Sequence, residues 1–342
     1  MSILKTNAIT DASGGNTTTI NGYTPTMSNM AGRNRIINGD MRIDQRNAGA
    51  SVDAANTGSS YYFVDRWAYI TSAASKFTLQ QSSDAPAGFN TSLLITSSSA
   101  YSSSASAYIN IRQMIEGYNV SDFGWGTANA KTVTLSFWAK SSLTGSFSGS
   151  LQNSAFDRSY PFTYTISSAN TWEYKTVTIS GDTTGTWLTD SNIGVRINFN
   201  IGSGSNYLGT ADAWSSSNLR GVTGTTSLIA TSGATLYITG VQLEEGSVAT
   251  PFEHRQYGQE LALCQRYYWA MTQTVYACVY STSNCMGHIW FPTTMRANPT
   301  VVSVLGGGGT LNSEYINPHY YGWYITGDTT TNCSDIKATA EL

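Results

Sequence analysis

The chain has 342 residues and a formal net charge of -3, so it is long enough to bury a sizeable core and to hold two or three structural units. Only 11% of its residues are charged, and lysine plus arginine (18) do not outnumber aspartate plus glutamate (21), so no basic surface for nucleic acid is predicted. Since no apolar run reaches the roughly 18 residues of a membrane-spanning helix, membrane insertion is not predicted either.

The first 33 residues contain little apolar material, and Thr, Asn, Gly and Ser dominate between Asn7 and Asn29. A segment of this composition cannot form its own core, so we expect residues 1–34 to become ordered only against a partner. The residues predicted to make that contact are the apolar ones: Ile3, Leu4, Ile9, Ile20 and Tyr23. The alternative is a disordered tail.

From residue 35 to about 255, alternation of apolar and polar residues predicts short strands with one buried face and no intervening helices. The clearest run is 193–201, where every second residue is Ile, Val or Phe. The predicted strands are 63–69, 76–80, 92–96, 107–115, 131–140, 172–180, 193–201 and 234–243. Their number, with Ser- and Gly-rich loops between them, indicates a β-sandwich and favours a jelly roll.

The last of these strands carries an interruption in its pattern. Leu236 and Ile238 share one face, Val241 and Leu243 share one face, and the odd step between the pairs predicts a bulge at Gly240. Thr250 precedes Pro251, and the residue before proline is held out of the helical region, so an extended exit from the domain is expected.

A short helix is predicted next, because four residues recur at helical spacing and form one apolar stripe: Tyr257, Leu261, Cys264 and Tyr268. Further strands are predicted at 274–280, 286–291, 300–305, 319–326 and near Ile336. This last unit is small for a fold that stands alone and is rich in Tyr and Trp, so we expect it to bury part of its surface against copies of itself.

The predicted fold is therefore all-β: a jelly-roll β-sandwich followed by a short helix and a small C-terminal β domain. The predicted boundaries are 1–34 for the attachment segment, 35–255 for the jelly roll, 256–269 for the helical connector and 270–342 for the C-terminal β tip domain. The four cysteines fit no metal-binding spacing and are interpreted as buried thiols, with a Cys278–Cys285 disulfide as the alternative.

No catalytic residue, metal site or cofactor is predicted. The three histidines lie in different units, and the adjacent Glu244 and Glu245 should point to opposite faces of a strand, whereas a glycosidase needs two facing carboxylates. Asp182 and Asp190, in a turn-rich region, are interpreted as turn residues rather than calcium ligands.

Binding of a sugar is a better physical match, because exposed aromatic rings stack on its C–H faces while amides and guanidinium groups bond its hydroxyls. Three sets of candidates follow. They are Trp138, Arg112, Arg196 and Asn198 on polar strand faces; Tyr207 and Trp214 on loops; and Tyr315, His319, Tyr320 and Trp323 in the terminal unit. The alternative for each set is packing against a neighbouring subunit.

Two parts of the chain carry a family resemblance. The run GVQLEEGSVATPFEHRQYGQELALCQRYY (240–268) resembles the segment that closes a jelly-roll domain in many bacteriophage virion proteins, especially fibres. The runs NRIINGDMRIDQRNAGASV (34–52) and FVDRW (63–67) resemble the start of the same domain, whose jelly roll is similar to carbohydrate-binding modules. The shared motif is structural, so it assigns no binding residue.

The resemblance implies a bacteriophage tail fibre, or receptor-binding protein, that is made in the host cytoplasm and works on the virion. It implies a homotrimer that docks through its N-terminus on other virion proteins and recognises a host surface glycan with its far end. Two alternatives stay open: a capsid decoration or cement protein, and a polysaccharide-degrading tailspike.

Overall fold

The structure is a computed structural model that describes residues 32–276, 278–281, 284–306, 310–326 and 332–342. The predicted attachment residues Ile3, Leu4, Ile9, Ile20 and Tyr23 lie outside the described residues. Within the described ranges, no helix has the length and hydropathy required to cross a bilayer.

The first part of the described chain contains fourteen strands. They are β1 (Val52–Asp53), β2 (Tyr61–Val64), β3 (Trp67–Thr71), β4 (Phe77–Ser82), β5 (Ser92–Ser97), β6 (Ile109–Glu116), β7 (Val133–Ser141), β8 (Gly145–Gln152), β9 (Ser159–Ile166), β10 (Glu173–Ile179), β11 (Ile193–Asn200), β12 (Leu208–Gly209), β13 (Gly221–Val222) and β14 (Thr235–Glu245). Short 3₁₀ turns occur at Gly117–Asn119, Ser121–Phe123, Ser205–Tyr207 and Leu228–Ala230.

Helix α1 (Tyr257–Gln265) follows, and then the strands of the C-terminal unit. These are β15 (Tyr268–Met271), β16 (Val275–Tyr276), β17 (Cys278–Ser281), β18 (Asn284–Trp290), β19 (Thr300–Gly306), β20 (Thr310–Ile316), β21 (Tyr320–Thr326) and β22 (Asn332–Thr339).

Two six-stranded antiparallel sheets form the first domain. Sheet 1 has the order β1-β4-β5-β14-β7-β10, and sheet 2 has the order β2-β3-β6-β11-β8-β9. The inward side chains of both sheets, among them Trp67, Phe137 and Phe199, form one continuous buried core. This arrangement confirms the predicted all-β jelly-roll sandwich.

Parts of the sandwich depart from the sequence prediction. The predicted strand 63–69 is two strands, because the chain turns back at Asp65 and Arg66, where the φ of Arg66 is +69°. The β8–β9 hairpin, which forms one side of sheet 2, was not predicted at all. Pro161 lies within β9, which is tolerable because β9 is an edge strand.

The predicted bulge in β14 is confirmed. The pairing of β14 with β7 shifts register between Thr239 and Gln242, and Gly240 has a φ of +60°. The shift keeps apolar side chains on the core side of both halves of the strand: Leu236, Ile238, Val241 and Leu243 are all fully buried.

The segment 34–52 packs along the end of β14. The carboxamide of Asn34 donates to the carbonyl of Val241 and accepts from the amide of Leu243, both at 3.2 Å. Gly39 approaches so closely that a Cβ atom there would lie 2.2 Å from the Val241 carbonyl oxygen. The runs 34–52 and 240–268, which carry the family resemblance, are therefore in direct contact. Their residues bond the start of the domain to its last strand.

The predicted apolar stripe on the helix is wrong at both ends. Tyr257 is 58% exposed, and Tyr268 lies in β15, because the helix ends at Gln265. The middle of the stripe does face inward: Cys264 packs with Ile37, Ile43 and Tyr267, and Leu261 packs partly buried against this cluster. Glu260, which was not in the stripe, is also buried. The buried part of the stripe is therefore covered by residues of the same chain.

The C-terminal unit consists of sheet 3 (β15-β22-β16, with β19 also paired to β22) and sheet 4 (β17-β18-β21-β20). These sheets enclose a second core that includes Trp269, Tyr321 and Trp323. Polar contacts attach the unit to the jelly roll: Arg266 pairs with Glu116 at 2.6 Å, and Arg46 pairs with Glu341 at 2.7 Å.

Three of the four cysteines are buried and free: Cys264, Cys285 and Cys333. The interpretation as buried thiols is confirmed for these three. Since Cys285 is free, the alternative disulfide with Cys278 is absent from the structure.

Candidate functional site

The outer face of sheet 4, turned away from the C-terminal core, carries a groove lined by aromatic side chains. Residues paired across antiparallel strands share a face, and the register places His288 opposite Gly322 and Gly322 opposite Tyr315. Two pairs further along, and so on the same face, Trp290 is opposite Tyr320. The groove therefore crosses three strands, with a glycine between two larger side chains.

The volume of the groove is about 420 Å³, which is in the range of small-ligand pockets. Its described lining is Met286, Gly287, His288, Trp290, Tyr315, Tyr320, Gly322 and Trp323. A Cβ atom on Gly322 would lie 3.6 Å from the Cβ of Tyr315, so the glycine leaves open a space that any side chain would partly fill.

The largest side chains of the groove face solvent. Trp290 is 63% exposed and Tyr315 is 56% exposed, while the rings of Trp290 and Tyr320 pack 5.2 Å apart. Among the described lining residues there is no carboxylate, lysine or arginine. Such a neutral aromatic platform can stack on a flat apolar face of a ligand, and His288 can exchange hydrogen bonds with its polar groups.

The groove lining includes three of the four residues predicted in this unit: Tyr315, Tyr320 and Trp323. Trp323 was predicted to contact ligand as an exposed aromatic, but its side chain is 1% exposed and packs in the core. Its ring lies beneath Gly287, where a Cβ atom would be 2.4 Å from it. His319 lies outside the described lining, with Nδ1 3.3 Å from the Thr294 hydroxyl.

Three residues of the groove were not predicted: Met286, His288 and Trp290. The sequence does indicate that they belong together, because residues two apart along a strand point to the same face. Tyr320, Gly322 and Tyr324 follow the same rule in the neighbouring strand, and the register then joins the two sets.

The candidates in the jelly roll do not form one polar face. Trp138 is half-buried on sheet 1, where its ring packs 5.4 Å from that of Tyr174, whereas Arg112, Arg196 and Asn198 lie on sheet 2. These three residues were predicted to face outward to solvent. They are on the outer side of the sheet, but at 0–6% exposure they are buried beneath loops.

The two loop candidates also pack within the chain. Tyr207 makes an edge contact with Tyr108 at 5.6 Å and lies 4.9 Å from the guanidinium carbon of Arg220. Trp214 packs against Trp125 and Trp187, and its indole nitrogen donates to the carbonyl of Ser180. Both side chains remain partly exposed, and their role in glycan binding stays a prediction.

The carboxylates behave as the sequence predicts. Glu244 is 1% exposed and accepts hydrogen bonds from Thr250, whereas Glu245 is exposed, so the two point to opposite faces. Asp182 and Asp190 each accept a backbone hydrogen bond two residues ahead, which confirms them as turn residues. The described residues contain no cluster of three or more His, Cys, Asp or Glu that could hold a metal ion.

One carboxyl group has an unusual environment. Asp65 is fully buried beside Gln45 and Arg46, and burial raises its pKa to about 7, although its hydrogen bond with Gln45 and the charge of Arg46 act in the opposite direction. Asp65 lies where the jelly roll meets the C-terminal unit, because Arg46 also pairs with Glu341.

No protein-family model and no curated protein matches the chain. Among solved structures, the chain is similar to a CBM4 protein, at 17% identity over 61% of this chain and 98% of that one, with a TM-score of 0.32. It is also similar to a putative sugar binding protein from Bacteroides thetaiotaomicron, at 14% identity over 63% of this chain and 100% of that one, with a TM-score of 0.36.

A third similar structure is the family 11 carbohydrate-binding module of a cellulosomal cellulase from Clostridium thermocellum. It is 13% identical and covers 62% of this chain and 100% of that one, with a TM-score of 0.27. Likenesses at these TM-scores carry no argument about function. The jelly-roll fold follows from the strand order of the two sheets.

Proposed function

We propose that this chain is a non-enzymatic adhesion protein that binds a neutral glycan in the groove of sheet 4. The observation that carries the proposal is the exposure of Trp290 and Tyr315 on either side of a glycine floor in a groove without charged lining residues. An exposed aromatic surface of this kind is costly in water unless it serves a ligand or a partner. Pyranose rings offer the matching flat C–H faces.

Each aromatic contact of this type contributes only about 0.5–1.5 kcal/mol, so two or three rings give weak binding at a single site. Weak sites become effective when several copies engage one surface, because the second binding event is then intramolecular. The proposed mechanism is therefore multivalent adhesion, with the groove repeated over the subunits of an oligomer.

We further propose that the oligomer is a homotrimeric bacteriophage tail fibre that docks on the virion through residues 1–34. The resemblance of runs 34–52, 63–67 and 240–268 to fibre proteins supports this assignment. The trimer has support from β19, where Val302 is 63% exposed and Val304 is 55% exposed. Burial of these side chains against another copy would remove apolar surface from water.

The glycan proposal is tested with variants of the two exposed groove aromatics. Neutral bacterial-surface oligosaccharides are screened on an array, and the best is titrated against the wild-type chain, Trp290→Ala and Tyr315→Ala. Each substitution should weaken binding about tenfold, the equivalent of one lost stacking contact. The matched control is Tyr118→Ala, which removes a 61% exposed tyrosine from the jelly roll and should leave affinity unchanged.

Equal loss of affinity in the Tyr118 variant, or wild-type affinity in both groove variants, would overturn the assignment of the groove. An oligosaccharide that is cleaved during the titration would instead identify a tailspike.

The virion assignment is tested by deleting residues 1–33. The truncated chain should keep a mass three times that of the chain in sedimentation analysis and should no longer enter particles, because the docking segment is gone. Electron microscopy of labelled full-length protein should place it at the tail. Copies spread over the capsid shell would favour a decoration protein, and incorporation of truncated protein would refute docking through this segment.

A further inference from the structure

Three arginines lie together on the outer face of sheet 2. Arg112 in β6 is opposite Asn198 in β11, and Arg196 is two residues from Asn198, so the two arginines are diagonal neighbours across paired strands. Arg220 joins them from the loop before β13. The guanidinium groups of Arg196 and Arg220 share one aromatic neighbour, Phe156, at 4.0 and 5.8 Å from its ring centre.

All three side chains are buried, with exposures of 5% for Arg112, 6% for Arg196 and 5% for Arg220. Among the residues that the structure describes, no carboxylate forms an ion pair with any of them. The Nε and Nη1 atoms of Arg112 and of Arg220 are buried without a described hydrogen-bond partner. Each of these two guanidinium groups therefore keeps two buried donors without a described partner, although Nη2 of Arg112 donates to the Ser60 hydroxyl.

Burial of these cations has an electrostatic cost. Burial, together with the neighbouring arginines, lowers the pKa of Arg112 to about 9, and burial and Arg220 lower the pKa of Arg196 to about 10. Buried charge without a counter-charge is strongly unfavourable, and proteins normally pair it. The three arginines repel one another at a place where an anion would be stabilised by all of them.

The surroundings hold this arrangement in place. Phe156, at the tip of the β8–β9 hairpin, has a φ of +62°, an uncommon left-handed conformation for an aromatic residue. The guanidinium group of Arg220 lies 4.6 Å from the ring centre of Tyr108 and 4.9 Å from that of Tyr207. Arg196 donates to the carbonyl of Ser154 at 2.9 Å and to the carbonyl of Asn153. Aromatic rings and carbonyls thus orient the arginines, and none of these groups neutralises them.

We propose that Arg112, Arg196 and Arg220 form a binding site for an oxyanion, the carboxylate or sulfate group of an anionic ligand. The planar guanidinium fork matches two oxygens of such a group and forms charge-assisted hydrogen bonds with them. This site lies in the jelly roll, is separate from the groove of sheet 4, and does not rest on the glycan proposal.

The test is calorimetric titration of the full chain with three probes: sodium glucuronate for a sugar carboxylate, sodium sulfate for a tetrahedral oxyanion, and glucose as the neutral control. Ionic strength is held constant with sodium chloride. At least one oxyanion should bind and glucose should not; the preferred probe then distinguishes a carboxylate ligand from a sulfated one.

Arg220→Gln should raise the Kd of the preferred oxyanion at least about tenfold, because a charge-assisted pair of hydrogen bonds is lost. Arg220→Lys, which keeps the charge but not the fork, should give a smaller loss. The charge-matched control is Lys76→Gln, at the residue just before β4 of sheet 1, which should leave the Kd unchanged. Arg112→Gln is the second test if Arg220→Gln does not fold.

The proposal is overturned if neither oxyanion binds the wild-type chain more tightly than glucose, or if Lys76→Gln weakens binding as much as Arg220→Gln. Trp290→Ala separates the two sites, because it should leave oxyanion binding intact. Absence of glycan binding in the groove would therefore leave the oxyanion proposal standing. Absence of oxyanion binding would likewise leave the groove proposal standing.

Discussion

The outer faces of sheet 4 and sheet 2 both carry aromatic side chains, but they differ in what covers them and in charge. The face of sheet 4 is open, and its described groove residues are neutral, with Trp290 and Tyr315 more than half exposed. The face of sheet 2 is covered by loops, and it buries Arg112, Arg196 and Arg220. An open aromatic face suits stacking on a neutral sugar, whereas a covered cationic face requires a counter-charge.

The largest expected effect is a difference in stability between replacing a buried arginine that has an ion pair and replacing one that has none. Arg66 is 1% exposed, pairs with Glu341 and donates to the Met114 carbonyl, so Arg66→Met should lower the free energy of unfolding by about 3–5 kcal/mol. Arg112→Met removes a buried charge that has no described ion pair. It should raise the free energy of unfolding by about 1 kcal/mol in chloride buffer. Denaturant titration measures the free energy of unfolding of both variants. A similar loss of stability in both would mean that the arginines of sheet 2 are already neutralised.

The next effect compares the two glycines of the groove. Gly287→Ala should cost about 1–3 kcal/mol of stability, because its Cβ would overlap the buried ring of Trp323. Gly322→Ala should change stability by less than about 0.5 kcal/mol, since its Cβ meets nothing closer than 3.6 Å, but it should weaken glycan binding. Thermal unfolding and glycan titration together check the pair; full glycan affinity in Gly322→Ala would place the ligand elsewhere.

A further effect concerns the contact between the two units. The pKa of Asp65 is raised from 3.8 to about 7, so between these pH values the folded chain holds a proton that the unfolded chain has lost. Stability should therefore fall as pH rises from about 4 to 7, and Asp65→Asn should flatten that slope. Unfolding curves at several pH values test this. Glycan affinity should not change, because Asp65 is remote from the groove.

The sequence predicted the sandwich because most strands have one apolar face, and that alternation is local. The β8–β9 hairpin escaped prediction because β8 is rich in Ser and Gly and β9 contains Pro161, both of which weaken a strand pattern. Neither feature prevents pairing: β8 pairs with a strand on each side, and β9 is the edge strand, where a proline is tolerated.

The groove could be predicted only in part, for a physical reason that is visible in the run YYGWY (320–324). Both faces of this strand are aromatic, so alternation alone does not show that Tyr321 and Trp323 face the core while Tyr320 faces the groove. That choice depends on which face sheet 3 covers. The arginine cluster could not be predicted either, because it depends on a tertiary contact: Arg220 lies in a loop distant in sequence from Arg112 and Arg196.

The most direct test of the central claim is a crystal structure of the chain with the neutral oligosaccharide selected by the array. The account predicts sugar density over Gly322, stacked on Trp290 or Tyr315 and within hydrogen-bond reach of His288. Sugar bound at Trp138 or at another surface, with the groove of sheet 4 empty, would contradict it.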